Sequence, residues 1–360
     1  MQGGHPTAVL LPAVLAVGEE RRSTGREVLE AYVIGYEVLM KLARAVNFEH
    51  YYKGWHPTAT LGVFGAAAAV ARLLHLDAEH VRHALGIAAS MASGVKANFG
   101  SYTKPFQVGH AAHKGVLSAV LAGDGLTASP VALEGKQGFA EVYNGAEKYD
   151  FSNAGFGDTF EIVEPGLRFK RYACCGSTHS SIDAALDLRQ EQALSPEDIA
   201  KISVSIEKRR ARHTDRPQYH GGYEGKFSLQ YLLAAALTDG AISVAHFTDD
   251  STARTDLRKL AERVTVIPVD RGESLSDFCE LEVTFKDGTT RAVHRDSAEG
   301  RTAAEYPRCM REKFLDCVGQ SCERNRAEAL LESLLSFDSC VDVAGVMRQF
   351  GAPALQAATA

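Results

Sequence analysis

Two histidines in this sequence stand immediately before a proline, which places an imidazole at the start of a predicted helix. His56 precedes Pro57, and His5 precedes Pro6 in the same way. Proline suits the first helical position, where backbone N–H groups lack intrahelical partners and the helix dipole is positive. This positive end favours a neutral imidazole that can accept a proton. The pattern indicates proton transfer at His56, with an ordinary capping histidine as the alternative, and leaves the role of His5 open.

Two further segments combine cationic side chains with a predicted helix start. Lys104 stands directly before a proline, where an ammonium group and backbone amides together can bind a carboxylate; a surface lysine is the alternative. Lys170 and Arg171 belong to a run of cations ahead of a helix predicted from about Thr178. Cys175 lies between the run and that helix, where nearby cations would lower the pKa of its thiol. A buried, unreactive cysteine is the alternative there.

The elements that must position these residues are helices over residues 1–165. Thr24 and Glu27 form a capping-box pattern ahead of an apolar stripe that extends to Val46. Asp77 is placed to cap a later helix. Small residues on the predicted faces allow helices to approach closely, and this region is therefore predicted to be a compact helical domain.

Alternating apolar and polar residues replace this pattern over residues 166–304. They predict strands near 202–206, 264–266, 279–285 and 290–294, with a tight turn at Asp287-Gly288 and a helix over 227–238. Helical spacing returns over 305–360 and ends in a tail at 352–360. The predicted fold is mainly α: a large helical bundle domain with an inserted smaller α+β lid domain, the helices of 305–360 returning to the bundle.

Composition excludes several classes of function. The chain has 360 residues, a formal net charge of -6 and no basic stripe, which argues against nucleic-acid binding. No apolar run reaches the ~18 residues that a membrane span needs. An odd count of seven cysteines and the lack of a secretion signal predict free thiols in the cytoplasm. The pairs His80/His83 and His110/His113 lack a carboxylate at metal-site spacing, so no metal is predicted.

Several motifs, in this order, resemble the MmgE/PrpD family: GWHPTATLGVFG around His56, TKPFQVGHAAHKG from Thr103, and KRYACCGSTH from Lys170. The likeness covers most of the chain. The family contains 2-methylcitrate dehydratase, cis-aconitate decarboxylase and iminodisuccinate epimerase. The resemblance implies a helical domain with an α+β lid, a homodimer, no cofactor, and a small polycarboxylate substrate held in a cleft.

The resemblance also implies roles for individual residues. His56 matches a catalytic histidine, His5 a second active-site histidine that would act as its partner, and Lys104 the lysine of the T-K-P motif. Lys170 and Arg171 are expected to hold substrate carboxylates with Lys104, and Cys175 falls where some members have histidine. Gln107 likewise stands where many members have histidine.

The predicted reaction is a metal-independent elimination like that of 2-methylcitrate dehydratase, in propionate metabolism, with proton abstraction next to a carboxylate. Decarboxylation of the cis-aconitate type and epimerisation of the iminodisuccinate type are the alternatives. Members normally carry further helices and an acidic loop ahead of the first H-P motif, whereas this chain begins almost at His5. A catalytically silent scaffold or binding protein is therefore the alternative from another class, and a thiol enzyme that uses Cys175 is a third possibility.

Overall fold

The structure is a computed structural model that describes residues 4–191, 194–272, 277–296 and 306–351. The predicted tail at 352–360 lies outside the described residues. The α-helices are α1 (Pro6–Arg21), α2 (Gly25–Tyr52), α3 (Pro57–Thr60), α4 (Gly62–Leu73), α5 (Ala78–Met91), α6 (Thr103–Gly123), α7 (Phe139–Asn144), α8 (His179–Glu191), α9 (Lys208–Thr214), α10 (Gly221–Gly225), α11 (Leu229–Asp239), α12 (Asp249–Ala253), α13 (Thr255–Ala261), α14 (Tyr306–Val318), α15 (Arg324–Leu335) and α16 (Val343–Phe350). The β-strands are β1 (Ile199–Glu207), β2 (Val264–Val269), β3 (Cys279–Phe285) and β4 (Thr290–Arg295).

The chain divides into two compact units, which are described separately. The first unit comprises Met1–Arg168 with Glu332–Ala360, and the second comprises Phe169–Leu331. The second boundary lies within α15, so the segment 305–360 is divided between the units. The prediction of a mainly α protein is confirmed, whereas the domain bounds and the lid remain predictions.

The core of the first unit forms around α4. Every residue of α4 except Arg72 is buried, and α2, α5 and α6 pack against it. Its sequence of glycines and alanines leaves room for close helix approach. Gly35 of α2 and Gly65 of α4 face each other, because a Cβ on either would lie within 2.8 Å of the backbone oxygen of the other.

The close approach of Gly35 and Gly65 predicts how one added methyl group changes the stability of the protein. We expect Gly35→Ala to lower the free energy of unfolding by about 1–3 kcal/mol, because two packed backbones would have to separate. Gly109→Ala in α6 is the matched control, since a Cβ there meets no heavy atom within 4 Å. That change should be neutral or stabilising by about 0.5–1 kcal/mol, because alanine restricts the unfolded chain. Urea denaturation of both variants measures the difference; equal effects would contradict the close packing.

The predicted helix starts are confirmed in detail at two places. Thr24 Oγ1 accepts the backbone N–H of Glu27, and the Glu27 carboxylate accepts that of Thr24 at 2.7 Å, which completes the capping box. Asp77 caps α5 through His80 N at 2.9 Å. The start of α6 differs from the prediction, because the helix begins at Thr103 rather than at the Pro105 that follows Lys104, so Lys104 lies inside the first turn. Proline is tolerated there because first-turn N–H groups need no intrahelical acceptor.

The second unit is built on a four-stranded sheet with the order β2-β1-β3-β4. Strands β1 and β2 are parallel, and the other neighbouring pairs are antiparallel. All four strands occur where the alternation predicted them. The turn between β3 and β4 has Gly288 at a φ of 83°, a conformation that glycine adopts without steric cost. Helices α8 and α11 supply the buried apolar side chains that pack with the sheet.

Within the described ranges, no helix combines the length and the apolar character that crossing a membrane requires.

Candidate active site

The two H-P-T segments lie side by side in the first unit. His5 is the N-cap residue of α1 and His56 that of α3, and both helices begin with proline. The backbone N–H of His5 donates to Thr58 Oγ1 at 3.0 Å. The repeated histidine-proline pattern therefore corresponds to two neighbouring helix starts.

The His56 ring is buried and held on two sides. Its Nδ1 lies 2.9 Å from Gln107 Oε1, and the ring packs nearly perpendicular to that of Phe99 with the ring centroids 4.9 Å apart. The side chain is 1% exposed. Burial lowers the pKa of His56 to about 4; the hydrogen bond with Gln107 opposes this shift, and the charge of Lys104 adds to it. His56 is therefore neutral at pH 7.

Lys104 reaches the same aromatic ring as His56. Its ammonium lies 4.5 Å from the centroid of Phe99, a cation–π contact. Lys104 lies in the first turn of α6, at the positive end of the helix dipole. The backbone N–H groups of Lys104 and Phe106 donate within this turn, to the carbonyl oxygens of Ser101 and Tyr102. An ammonium at the positive end of a helix dipole is suited to a carboxylate, and here it acts on a neutral imidazole. The structure thus brings His56, Lys104 and the His5 segment together in one unit.

His50 is a buried residue of this site that sequence reasoning missed. Its Nε2 lies 2.7 Å from Thr60 Oγ1, which also lies 3.1 Å from the carbonyl oxygen of His56. Its Nδ1 lies 3.0 Å from Asn144 Oδ1. Burial lowers the pKa of His50 to about 4. The sequence did contain a sign that His50 is buried, because His50 follows Val46 by four residues and continues the apolar stripe of α2. Through Thr60, His50 holds α3 and thereby the position of His56.

In the second unit, the cationic run is tied to its own surroundings. The Lys170 ammonium donates to the carbonyl oxygen of Cys174 at 3.1 Å. Arg171 Nη1 donates to Asp183 Oδ1 at 3.2 Å, and the Tyr172 hydroxyl donates to the same oxygen at 2.6 Å. Asp183 is buried. A substrate carboxylate at Arg171 would compete with Asp183 for the guanidinium group.

Cys175 lies at the start of a 3₁₀ turn, Gly176–Thr178, that leads into α8. Burial raises the pKa of its thiol, but a hydrogen bond with His213, the charges of His213 and Lys170, and the backbone N–H of Ser177 lower the pKa to about 6. His213 Nε2 also lies 3.0 Å from Ser177 Oγ. His213 was missed because only the fold brings α9 to this turn. The neighbouring Cys174 is different, because burial raises the pKa of its thiol to about 12.

These two thiols predict a selective alkylation. We expect iodoacetamide to label Cys175 with a rate that rises through pH 6, while Cys174 stays unlabelled in the native protein. His213→Gln removes the hydrogen-bonding imidazole and should slow labelling at pH 7 by roughly tenfold or more, because the thiolate fraction falls. Mass spectrometry of timed samples measures both sites. Labelling of Cys175 that rises only above pH 8 in the unmodified protein would contradict the assignment.

Three of the four histidines considered as metal ligands, His80, His83 and His110, contact other protein groups. His80 Nδ1 lies 2.7 Å from Asp77 Oδ1, and His83 Nδ1 accepts the backbone N–H of Ala128. His110 stacks on Phe106. In the part of the chain that the structure describes, no three His, Cys, Asp or Glu side chains are grouped so that they could hold a metal ion.

Comparison with known proteins gives one consistent result along the chain. The model of the MmgE/PrpD N-terminal domain matches residues 2–152, and that of the MmgE/PrpD C-terminal domain matches residues 172–338. A cis-aconitate decarboxylase of Homo sapiens is 30% identical over 354 residues, which cover 94% of this chain and 72% of that protein. The cis-aconitate decarboxylase of Mus musculus is 28% identical, covering 98% and 74%. A cis-aconitate decarboxylase of Aspergillus terreus is 26% identical, covering 97% and 76%.

Proposed function

Because this chain belongs to the MmgE/PrpD family and is a lyase, we propose that it decarboxylates a small unsaturated polycarboxylate of the cis-aconitate type. The observation that carries the proposal is the contact of one aromatic ring, Phe99, with both the His56 imidazole and the Lys104 ammonium. The relatives named as cis-aconitate decarboxylases support the choice of reaction.

The reaction breaks the bond between a carboxylate carbon and the rest of the substrate. Carbon dioxide leaves, and the electron pair of that bond stays on the substrate, delocalised into the unsaturated carboxylate beside it. The Lys104 ammonium stabilises this charge by binding the carboxylate oxygens, and the positive end of the α6 dipole adds to the effect. The electron pair then takes up a proton on carbon, so that one proton replaces one carbon dioxide.

His56 supplies this proton after the substrate has bound. The imidazole is neutral before the substrate binds, because burial lowers its pKa to about 4. A bound polycarboxylate places negative charges beside the ring, and negative charges favour the imidazolium form. Substrate binding therefore raises the pKa of His56 and takes up a proton, which the ring donates to carbon. We assign His5 the role of partner to His56, because the two segments are adjacent.

Elimination of water, as in 2-methylcitrate dehydratase, is the second candidate. It needs a neutral imidazole that accepts a proton from carbon, and the low pKa of His56 favours that protonation state. The same cluster would then stabilise the same kind of charge, while the proton moves in the opposite direction.

One assay separates these reactions. The protein is incubated with EDTA in D₂O with cis-aconitate, 2-methylcitrate, citrate or iminodisuccinate, and the products are followed by NMR. We expect cis-aconitate to lose carbon dioxide and to gain one deuterium on carbon, and His56→Gln to slow this reaction by a factor of about 10²–10⁴. Loss of water from 2-methylcitrate with cis-aconitate unchanged would establish the second candidate. Inversion of iminodisuccinate would indicate an epimerase, and no turnover of any acid would favour the silent scaffold or binding protein.

The remaining expectations stay predictions of this proposal. Substrate binding by Lys170, Arg171 and Cys175 is checked by the KM of single variants. A homodimer is checked by light scattering, and the cytoplasmic location by fractionation of cells.

A further inference from the structure

The side-chain amide of Gln107 connects His56 to a backbone carbonyl. Gln107 Oε1 lies 2.9 Å from His56 Nδ1, and Gln107 Nε2 donates to the carbonyl oxygen of Val95 at 3.2 Å. A carbonyl oxygen only accepts hydrogen bonds, so the NH₂ group of the amide must face Val95. The amide oxygen therefore faces His56. This orientation follows from the hydrogen-bond network.

An amide oxygen only accepts, so His56 Nδ1 must donate. A neutral imidazole carries one N–H, and a proton on Nδ1 leaves the lone pair on Nε2. We propose that Gln107 is a positioning residue that fixes His56 in the Nδ1–H tautomer and thereby makes Nε2 the atom that takes up and donates the proton. The catalytic meaning rests on the proposed function, whereas the tautomer itself does not.

The carbonyl that orients Gln107 is fixed to the His56 segment. His56 N donates to Gly94 O at 3.1 Å, and Lys96 N donates to Gly54 O at 2.8 Å, on either side of Val95. Gly94 has a φ of 125°, and a Cβ on it would lie 2.9 Å from the Cβ of Ala59 and 3.2 Å from Gln107 Oε1. Glycine at this position keeps the backbone close to both groups. The amide is therefore held by a rigid bridge between two chain segments.

Gln107 accepts the Nδ1 proton without carrying a charge, whereas an Asp or Glu side chain at the same position would accept it as a charged carboxylate. The titratable groups around His56 are Lys104 on α6, His50 on α2 through Thr60, and His5 ahead of α1. A carboxylate at position 107 would add a negative charge and hold the imidazolium form without substrate. An amide selects the tautomer but adds no charge. The uptake of a proton on Nε2 then depends on the negative charge that the substrate brings.

The test compares Gln107→Glu and Gln107→Met with the unmodified protein. Long-range ¹H–¹⁵N NMR of ¹⁵N-histidine protein at pH 7 reports which ring nitrogen carries the proton, and the spectrum of His56→Gln assigns the signals. We expect an Nδ1–H tautomer in the unmodified protein, a mixed or Nε2–H state in Gln107→Met, and a raised pKa of His56 in Gln107→Glu. An Nε2–H tautomer in the unmodified protein, or an unchanged tautomer in Gln107→Met, would overturn the inference.

Kinetics provide the second readout on the substrate that the assay selects. Gln107→Met should lower kcat about tenfold or more, because only rings with an available Nε2 transfer the proton, while KM stays within about twofold. Gln107→Glu should restore the tautomer and move the descending limb of the pH profile of kcat to higher pH. Because the NMR measurement needs no turnover, failure of the proposed reaction and failure of the tautomer assignment give different results. An Nδ1–H tautomer that is lost in Gln107→Met without any change in kcat would remove His56 from the reaction and overturn the catalytic part.

Discussion

His56→Gln is expected to lower kcat by a factor of about 10²–10⁴, the usual contribution of a positioned acid or base. Glutamine keeps a polar side chain at the start of α3 but has no group that titrates. Proton transfer to or from the substrate carbon would then depend on water. The measurement is the initial rate of product formation by NMR on the acid that the substrate assay selects.

The matched control is His80→Gln in the same unit. The His80 ring lies on the surface, bonded to Asp77, and is part of no cluster with Lys104 or Phe99. This variant should keep kcat within about twofold, because exposed substitutions away from the site have small effects. A His56→Gln enzyme with near-normal kcat would remove His56 from the mechanism.

His56→Gln is also expected to change how the stability of the protein depends on pH. The pKa of His56 is about 4 in the folded protein, below its ordinary value of 6.5. Between these two values the unfolded chain binds the proton more readily, so protonation weakens the fold as the pH falls from 6.5 toward 4. His56→Gln should therefore lose less unfolding free energy than the unmodified protein over this range. Urea denaturation at pH 7 and at pH 4.5 measures the difference.

Lys104→Met is expected to reduce turnover by about 10²–10³, the typical cost of removing one donor aimed at developing charge. Methionine keeps an apolar side chain of similar length and removes the ammonium that lies over Phe99. The loss should appear in kcat if Lys104 stabilises charge that builds up during bond cleavage, and in KM if it only binds the substrate. Full kinetic curves separate the two contributions.

Lys148→Met serves as the control for Lys104→Met, since Lys148 is an exposed lysine of the same unit. It should leave both kinetic constants within about twofold. The charge of Lys104 also lowers the pKa of His56, so Lys104→Met should raise that pKa in an NMR titration. Unchanged kinetic constants together with an unchanged pKa would show that the Lys104 ammonium does not act on this site.

Local features of the fold were predictable from the sequence because they depend on neighbouring residues. The capping box at Thr24, the cap at Asp77 and the strands β1 to β4 all follow from patterns within a few residues. The start of α6 was displaced by two residues, because proline is allowed anywhere in a first turn. The mainly α fold class followed because predicted helices outnumber predicted strands.

The sequence by itself determined which chemical groups are present and that His56, His5 and Lys104 stand at helix starts. Only the tertiary structure decided which groups the buried histidines contact. His56 contacts Gln107, His50 contacts Asn144, and His213 contacts Ser177. These partners lie 51, 94 and 36 residues away along the chain. Burial and hydrogen bonding set a pKa and a tautomer, and both arise only when distant segments pack together.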